Sequence, residues 1–250
     1  MELLENQVSR ERLDVVIHKQ RPDLSRSLIQ SWIKNGMVTI AGKVIIKPGQ
    51  LVDQAVAFTL QLDQPEYVSR SGAKLNQALQ AFNVDVAGLT ALDVGLSTGG
   101  FTDCLLQHHA AKVFGVDVGT KQVHPKIAAD NRVVVMEQTD IRNCLGKIDP
   151  VDFIAIDVSF ISVVKIIDVV AQLLKTQGKM IILIKPQFET VKKSLARGGI
   201  VKNTVLRKQI VQDVIAAIEH AGFKLQGCVE SLTIGGDGNV EYLVCFSKGK

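Results

Sequence analysis

Four charged residues occupy positions from which side chains of a parallel sheet could meet around a substrate. Asp157 and Lys185 each directly follow an apolar stretch, and in a parallel sheet such positions lie at the ligand-binding edge. Glu241 begins the last apolar stretch, and Lys74 lies near the start of a helix that precedes the sheet. A lysine can accept a proton from a hydroxyl if burial or a second cation lowers its pKa, and carboxylates can hold lysines in register. Structural ion pairs at strand ends remain the alternative for each single residue.

A glycine-rich turn between an apolar stretch and a helix predicts a site for a nucleoside cofactor. Residues 89–94 indicate a buried strand, and the glycines after it allow a sharp turn into a helix that begins near Phe101. Glycines there let the backbone approach a ligand, and the start of a helix offers unpaired N–H groups. The next strand ends at Asp117, a position from which an acid binds the ribose of an adenosine. An ordinary glycine-rich loop is the alternative.

The spacing of that turn favours S-adenosylmethionine over NAD. It is Gly-x-x-x-Gly-Gly after Asp93, whereas dehydrogenases carry Gly-x-Gly-x-x-Gly. S-adenosylmethionine supplies an activated methyl group, so the protein would align an acceptor hydroxyl, such as that of a ribose, and remove its proton. Lys185 is the candidate base and Lys74 the cation that orients it. The candidate cofactor residues of the turn and of the next strand are Asp93, Gly95, Ser97, Thr98, Gly99, Gly100, Phe101 and Asp117.

Strands and helices alternate after residue 69, which predicts a parallel sheet covered by helices on both faces. Only residues 233–239 separate the last two strands, so these form a hairpin and the final strand is antiparallel. The predicted strands are residues 89–94, 111–117, 132–136, 151–157, 179–185, 223–232 and 240–247, and the predicted helices are residues 101–109, 161–175 and 203–221. This α/β pattern, a mainly parallel seven-stranded sheet, is the class I (Rossmann-like) methyltransferase arrangement.

Residues 9–60 predict a small α+β unit of their own. Leu13 and Ile17 mark the apolar face of one short helix, and Ser25 can cap a second, with two strands at residues 37–40 and 43–46. Residues 15–52 contain six basic residues and a single acid, Asp23. This local positive field exceeds what the net charge of +4 for the chain indicates. A solvated basic face is the alternative to a nucleic-acid interface.

The order of these parts resembles the S4 RNA-binding domain. The matching segments are Arg12-Leu-Asp14, Ser25-Arg26, Ile33-Lys-Asn-Gly-Met-Val38, Gly42-Lys43 and Lys47-Pro-Gly49. Such domains lay a helix pair with a basic face against folded RNA and contact mostly phosphates. The candidate RNA-binding residues are Arg12, Lys19, Arg21, Arg26, Lys34, Lys43 and Lys47.

Further motifs resemble the TlyA family of ribosomal RNA 2′-O-methyltransferases, relatives of the FtsJ enzymes that are often labelled haemolysins. They are Tyr67-Val-Ser-Arg70, Lys74-Leu75, Asp93-Val-Gly95, Ser97-Thr-Gly-Gly-Phe-Thr-Asp-Cys-Leu-Leu106, Val116-Asp-Val-Gly119, Asp157-Val-Ser-Phe-Ile-Ser162, Ile184-Lys-Pro-Gln-Phe-Glu189, Gly198-Gly199 and Gly238-Asn-x-Glu-Tyr242. The resemblance implies a catalytic set of Lys74, Asp157, Lys185 and Glu241, and it adds Asp140 and Ile141 to the cofactor-binding residues. It also implies a cytidine ribose in large-subunit RNA as acceptor, with small-subunit RNA in some members.

The sequence therefore predicts an S4-like RNA-binding domain at residues 1–62, a linker at residues 63–68 and a methyltransferase domain at residues 69–250. The acidic amino terminus is no signal peptide, and no apolar run approaches the roughly 18 residues of a membrane span. The four cysteines have neither a zinc spacing nor a disulfide pattern, so we expect a cytoplasmic protein without a metal.

Two other functions compete with methyl transfer to ribosomal RNA. One is a non-catalytic RNA-binding or ribosome assembly factor that retains the methyltransferase fold. The other is a pore-forming haemolysin, which the lack of an export signal and of a membrane-inserting segment disfavours. The sequence leaves the oligomeric state, monomer or dimer, open.

Overall fold

The computed structural model describes residues 10–34, 36–60, 66–191, 195–196, 198–235 and 238–249. The chain divides into two compact units, Met1–Gln64 and Pro65–Lys250. The predicted linker, residues 63–68, begins outside the described residues. Its last part belongs to the second unit, since Tyr67 is buried in the core there and the Val68 N–H donates to Asp103 Oδ2 at 2.8 Å.

The first unit combines two helices with two small antiparallel sheets. The helices are α1 (Leu13–Gln20) and α2 (Arg26–Lys34), and the strands are β1 (Arg10–Arg12), β2 (Val38–Ile40), β3 (Lys43–Ile45), β4 (Leu51–Asp53) and β5 (Thr59–Leu60). Strand β1 pairs with β4, and β2 lies between β3 and β5. The core consists of Leu13, Val16, Ile17, Ile29, Ile33, Val38 and Val52. Both helices and the β2–β3 hairpin were predicted. Strands β2 and β3 are as short as β1 and β4, but a tight turn at residues 41–42 joins them, whereas no such turn marks β1, β4 or β5 in the sequence.

The second unit alternates strands and helices. Its helices are α3 (Arg70–Ala81), α4 (Gly100–Gln107), α5 (Pro125–Ala128), α6 (Ile167–Leu173) and α7 (Thr204–His220). Its strands are β6 (Thr90–Val94), β7 (Lys112–Val116), β8 (Val133–Met136), β9 (Val151–Ile156), β10 (Leu174–Ile184), β11 (Phe223–Glu230) and β12 (Tyr242–Lys248). Three short 3₁₀ helices span Ile141–Asn143, Val163–Ile166 and Pro186–Phe188.

These seven strands form one sheet in the order β11-β12-β10-β9-β6-β7-β8. Strand β12 runs antiparallel to both of its neighbours, and the other pairings are parallel. The predicted class I arrangement with a reversed final strand is therefore confirmed. Side chains alternate between the two faces, so Ile154 packs in the core with α6 and α7, whereas Phe153 packs with α3 and α4.

The predicted helix at residues 161–175 is wrong in its extent. A 3₁₀ helix at Val163–Ile166 precedes the seven-residue helix α6, and β10 already begins at Leu174. Apolar residues continue across this junction at a spacing that suits a helix, so periodicity does not reveal where the strand begins. The pairing of β10 with β9 is irregular between Leu174 and Lys179. The first residues of β10 therefore do not show the alternation of apolar and polar side chains that would indicate a strand.

Candidate active site

Two lysine–carboxylate pairs lie at the edge of the sheet where the parallel strands end. Lys74 Nζ donates to Glu241 Oε2 at 2.5 Å, and Lys185 Nζ lies 2.6 Å from Asp157 Oδ1. The pair of Lys74, on α3, and Glu241, just before β12, is buried, since these side chains are 10% and 4% exposed. The sequence placed all four residues at this edge, and the structure brings them together as two separate pairs.

A smaller cavity of about 290 Å³ contains three of these side chains: Lys74, Asp157 and Lys185. The rest of its wall is mostly polar. Hydroxyl and cationic side chains come from the start of α3, from the turn before α4, from the loop after β9 and from the segment before β12. They are Ser69, Arg70, Ser71, Ser97, Thr98, Ser159 and Thr233. Such a wall suits a hydroxyl-rich, anionic ligand such as a nucleotide.

A larger cavity of about 340 Å³ adjoins the smaller one along the ends of β6, β7 and β9. Five of the predicted cofactor-binding residues line it, and they are Gly95, Ser97, Asp117, Asp140 and Ile141. The two cavities share four residues, Gly95, Ser97, Asp157 and Ser159. The cavities therefore meet at Asp157 and Ser159, the two side chains that Lys185 contacts.

Carboxylates of the larger cavity are held by the backbone. Asp117 accepts the N–H of Ser97 at 2.7 Å and that of Gly119 at 2.6 Å, one on each oxygen. Asp140 caps a 3₁₀ helix and binds the Arg142 guanidinium, which lowers the pKa of Asp140 to about 2. Both oxygens of Asp117 and the Oδ2 of Asp140 keep a further lone pair for a ligand, whereas the Oδ1 of Asp140 already accepts two N–H groups of Arg142.

Gly95 brings the turn close to the neighbouring strand. Its φ is +94°, and a Cβ at this position would lie 2.5 Å from the carbonyl oxygen of Asp157. Because no other residue combines that backbone angle with so small a volume, Gly95 lets the β6 and β9 ends approach and form the wall shared by both cavities.

Three predicted cofactor residues do not line either cavity. Gly99 packs against Ile127, and Gly100 packs against Ser69 and Ser71, so these glycines serve the contact of α4 with its neighbours. Asp93 is fully buried below the turn. Thr98 and Phe101, in contrast, line the smaller cavity.

Asp93 is held by the helix that follows the turn. Its Oδ2 accepts from Thr102 Oγ1 at 2.7 Å, and its Oδ1 has no hydrogen-bond partner within the described part of the chain. Burial, with smaller contributions from Asp157 and Asp117, raises the pKa of Asp93 to about 7. An acid buried in this way lies at the boundary between its neutral and charged forms at physiological pH.

Sequence reasoning assigned no role to Ser159 and Phe160. Ser159 Oγ accepts from Lys185 Nζ at 2.9 Å and lines both cavities. The Phe160 side chain lies on the wall of the larger cavity, is 91% exposed and has a backbone φ of +66°. Both residues closely follow Asp157 at the end of a predicted strand, and this position could have indicated that they lie near the site.

Four of the predicted RNA-binding cations of the first unit are paired with acids. Arg12 and Arg26 both bind the buried Asp14, and Arg12 holds the pKa of that carboxyl well below its usual range. Lys19 pairs with Glu11, and Arg21 pairs with Asp23. Glu11 and Asp14 lie just before residues 15–52, the segment with six basic residues and one acid. The local positive field is therefore smaller than the composition of that segment indicates.

The remaining three, Lys34, Lys43 and Lys47, make no ion pair with any described residue. No cluster of potential metal ligands occurs among the residues that the structure describes. Within the same residues, no helix combines the length and the apolar composition needed to cross a membrane.

Comparison with known proteins identifies both units. Residues 67–248 match the FtsJ-like methyltransferase family, and residues 11–55 match the S4 domain. The chain is 39% identical to Hemolysin A of Brachyspira hyodysenteriae over 94% of this chain and 99% of that protein. It is 35% identical to the 16S/23S rRNA (cytidine-2′-O)-methyltransferase TlyA of Mycobacterium tuberculosis, over 94% of this chain and 89% of that one.

A solved structure extends the similarity to three dimensions. The "Putative hemolysin from Streptococcus thermophilus" superposes with a TM-score of 0.75 and 35% sequence identity, and the match covers 97% of this chain and 90% of that one. The chain therefore belongs to the hemolysin A and TlyA family, in which an S4 domain precedes an FtsJ-like methyltransferase domain.

Proposed function

We propose that this chain transfers the methyl group of S-adenosylmethionine to the 2′-hydroxyl of a cytidine ribose in ribosomal RNA. The observation that carries the proposal is that Lys74, Lys185 and Asp157 line the smaller cavity, each within a lysine–carboxylate pair, and that Asp157 also lines the larger cavity. The Mycobacterium tuberculosis relative is named as a methyltransferase of cytidine in 16S and 23S ribosomal RNA, which supports cytidine as the nucleotide and either ribosomal RNA as the substrate. Large-subunit RNA is the first substrate to test.

The larger cavity has the size and the side chains for the cofactor. Its volume of about 340 Å³ lies within the range of small-molecule sites, roughly 300–1,000 Å³. Asp117 would bind the ribose hydroxyls, and the buried Ile141 would lie against the adenine beside Asp140. When bound, S-adenosylmethionine supplies a methyl group on a positively charged sulfur, which a hydroxyl oxygen can attack.

The smaller cavity would hold the acceptor nucleotide. Lys185 lines this cavity and contacts Asp157 and Ser159, which also line the larger cavity, so Lys185 can accept the proton of the 2′-hydroxyl once it has released its own. Asp157 and Ser159 fix the direction of the Lys185 side chain. Lys74, held by Glu241, presents a positive charge that stabilises the developing alkoxide.

The first unit would hold the RNA. We assign residues 1–62 to RNA binding and residues 69–250 to catalysis. The foremost phosphate-binding candidates are Lys34, Lys43 and Lys47, for which the described residues provide no ion-pair partner. Arg12 and Arg26 would keep Asp14 neutralised and offer their remaining N–H groups. Modification of ribosomal RNA in this way would take place in the cytoplasm.

Methyl transfer to ribosomal subunits tests this proposal. Purified protein and S-adenosylmethionine labelled in its methyl group are incubated with each subunit from cells that lack the modification. We expect label in large-subunit RNA that survives alkaline hydrolysis and is recovered as 2′-O-methylcytidine. Label on a base would contradict the proposed transfer to a ribose hydroxyl. No label in either subunit despite measurable cofactor binding would contradict the proposal and favour the non-catalytic assembly factor.

A further inference from the structure

Two loops that carry the Asp157–Lys185 pair run side by side beyond the sheet edge. Strands β9 and β10 are paired up to Ile156 and Ile182, and the β9 loop (residues 157–163) and the β10 loop (residues 185–189) continue from them. Interactions join the two loops in order along the chain. They are Ser159 with Lys185, Phe160 with Phe188, and Val163 with Glu189.

The β9 loop has an unfavourable backbone conformation at its centre. Phe160 has a φ of +66°, a left-handed conformation that a bulky residue rarely adopts and that costs on the order of 1–3 kcal/mol. Its side chain is 91% exposed, so burial of the ring does not offset this cost. The conformation is therefore held by the residues on either side of Phe160, together with the contact of its ring with Phe188.

On one side, the hydrogen bond from Lys185 Nζ to Ser159 Oγ fixes the residue before Phe160. On the other side, Glu189 fixes the residues after it. Glu189 Oε1 accepts the N–H of Val163 at 2.9 Å, and the neighbouring Ser162 side chain lowers the pKa of this carboxyl. Val163 is the first residue of a 3₁₀ helix, so its N–H has no partner within that helix.

Glu189 lies away from the reacting groups. It lines neither the larger nor the smaller cavity. Burial raises the pKa of its carboxyl, while the hydrogen bonds from the β9 loop and the charge of Lys165 act in the opposite direction. Burying a carboxylate costs free energy unless hydrogen bonds compensate for the lost water. The bond from the β9 loop provides such compensation, which is consistent with a structural role of Glu189 towards that loop.

We infer that Glu189 is a positioning residue for methyl transfer, which holds the Val163 N–H and thereby keeps Ser159 on Lys185 and Asp157 on the wall shared by the two cavities. The inference rests on the proposed function, because that function gives Lys185 its task. A shift of the β9 loop by about 1 Å would misplace Lys185 relative to the hydroxyl and slow the reaction by up to ~100-fold.

Three variants of the full chain test the inference. Glu189→Ala removes the acceptor, Glu189→Gln keeps a carbonyl oxygen for Val163, and Asp213→Ala removes a carboxylate on α7 that faces the same surface cavity as Glu189 but bonds only Gln209 among the described residues. We expect Glu189→Ala to lower kcat about 10- to 100-fold with little change in KM for RNA, and Glu189→Gln and Asp213→Ala to stay within about threefold of wild type.

Amide hydrogen exchange in residues 158–163 provides a readout that is independent of activity. Glu189→Ala is expected to accelerate exchange there, and the other two variants are not. If wild type transfers no methyl group, the proposed function fails, and exchange alone then decides whether Glu189 holds the β9 loop. Unchanged exchange in Glu189→Ala, wild-type kcat in that variant, or equal loss of kcat in Glu189→Gln would overturn the inference.

A second variant covers the case in which Glu189→Ala does not fold. Val163→Pro removes the same hydrogen bond from the donor side, at a first helical position where proline is tolerated and after a residue, Ser162, whose ψ of 134° accommodates it. The same loss of kcat with faster exchange in residues 158–162 is expected, and wild-type values for both would overturn the inference.

Discussion

At the scale of single residues, the buried pair of Lys74 and Glu241 combines a structural with a chemical role. Glu241→Ala would leave the Lys74 ammonium without its partner in a site where it is 10% exposed. We expect the free energy of unfolding to fall by about 3–5 kcal/mol and methyl transfer to be lost. Urea denaturation and the methyl-transfer assay measure the two effects.

A double replacement separates these roles. In Lys74→Met/Glu241→Leu, apolar side chains of similar volume replace both partners, so stability should return to near that of wild type while methyl transfer stays absent. Recovery of methyl transfer in the double variant would contradict a chemical role for the pair. Wild-type stability in Glu241→Ala would contradict the structural role.

Asp93 should make stability depend on pH. Its pKa is raised from 3.8 to about 7 in the folded chain, so the folded state binds more protons than the unfolded state between these values. The contribution of Asp93 to stability is therefore fully present below about pH 4 and is lost as the pH rises towards 7, with a magnitude on the order of 4 kcal/mol.

Asp93→Asn tests this dependence, because an asparagine does not titrate and can still accept from Thr102. The free energies of unfolding of wild type and variant are compared by urea denaturation at about pH 4.5, 5.5, 6.5 and 7.5 in a series of buffers. We expect the stability of wild type relative to the variant to decrease steadily over this series. A constant difference would show that Asp93 keeps the same charge in both states.

At the scale of elements, the turn between β6 and α4 depends on the small volume of Gly95. Gly95→Ala adds a Cβ 2.5 Å from the Asp157 carbonyl oxygen in addition to the strain of a φ of +94°. Gly88→Ala is the matched control, because Gly88 also has a positive φ, of +73°, but a Cβ there meets nothing within 4 Å.

We expect Gly88→Ala to cost about 1 kcal/mol of stability and to leave affinity for S-adenosylhomocysteine unchanged. Gly95→Ala should cost more and weaken that affinity at least tenfold, because the wall of both cavities has to move. Urea denaturation and calorimetric titration measure these quantities. Equal behaviour of the two variants would mean that the close approach at Gly95 does not shape the site.

The elements that the sequence predicted are those with long periodic patterns. The seven strands of the sheet, with the reversed β12, follow from apolar runs and from the short link before Glu241. The order of strands in space, the 3₁₀ helices and the β9 loop could not be predicted, since they depend on interactions between distant parts of the chain. The sequence predicted that Lys74, Asp157, Lys185 and Glu241 converge at one edge of the sheet. It could not predict which lysine pairs with which carboxylate, because this depends on the spatial order of the strands.

At the scale of the whole molecule, the first unit should contribute affinity for RNA without affecting the cofactor. Replacing Lys34, Lys43 and Lys47 by alanine removes cations that have no ion-pair partner in the described part of the unit. Removing one lysine–phosphate interaction lowers the slope of log K against log salt by about 0.7–0.9, so we expect a slope reduced by roughly 2–3 and weaker RNA binding.

A matched control for this prediction is a variant in which cations that already have partners are replaced. Lys19→Ala/Arg21→Ala removes bases paired with Glu11 and Asp23, so its effect on the salt slope should be smaller per residue. Filter binding across a range of salt concentrations gives both slopes, and affinity for S-adenosylhomocysteine should match wild type throughout. Equal slopes for the triple variant and wild type would remove these lysines from the interface.

The most direct test of a catalytic role for this site is a single-turnover measurement with Lys185→Ala. Wild type and variant are compared for methyl transfer to large-subunit RNA, with RNA and cofactor binding measured for both; Lys175→Ala, which removes a lysine paired with Asp152, is the control. We predict a roughly 10²- to 10⁴-fold slower transfer for Lys185→Ala with binding retained, and a wild-type rate for the control. Transfer by Lys185→Ala at the wild-type rate would contradict the account.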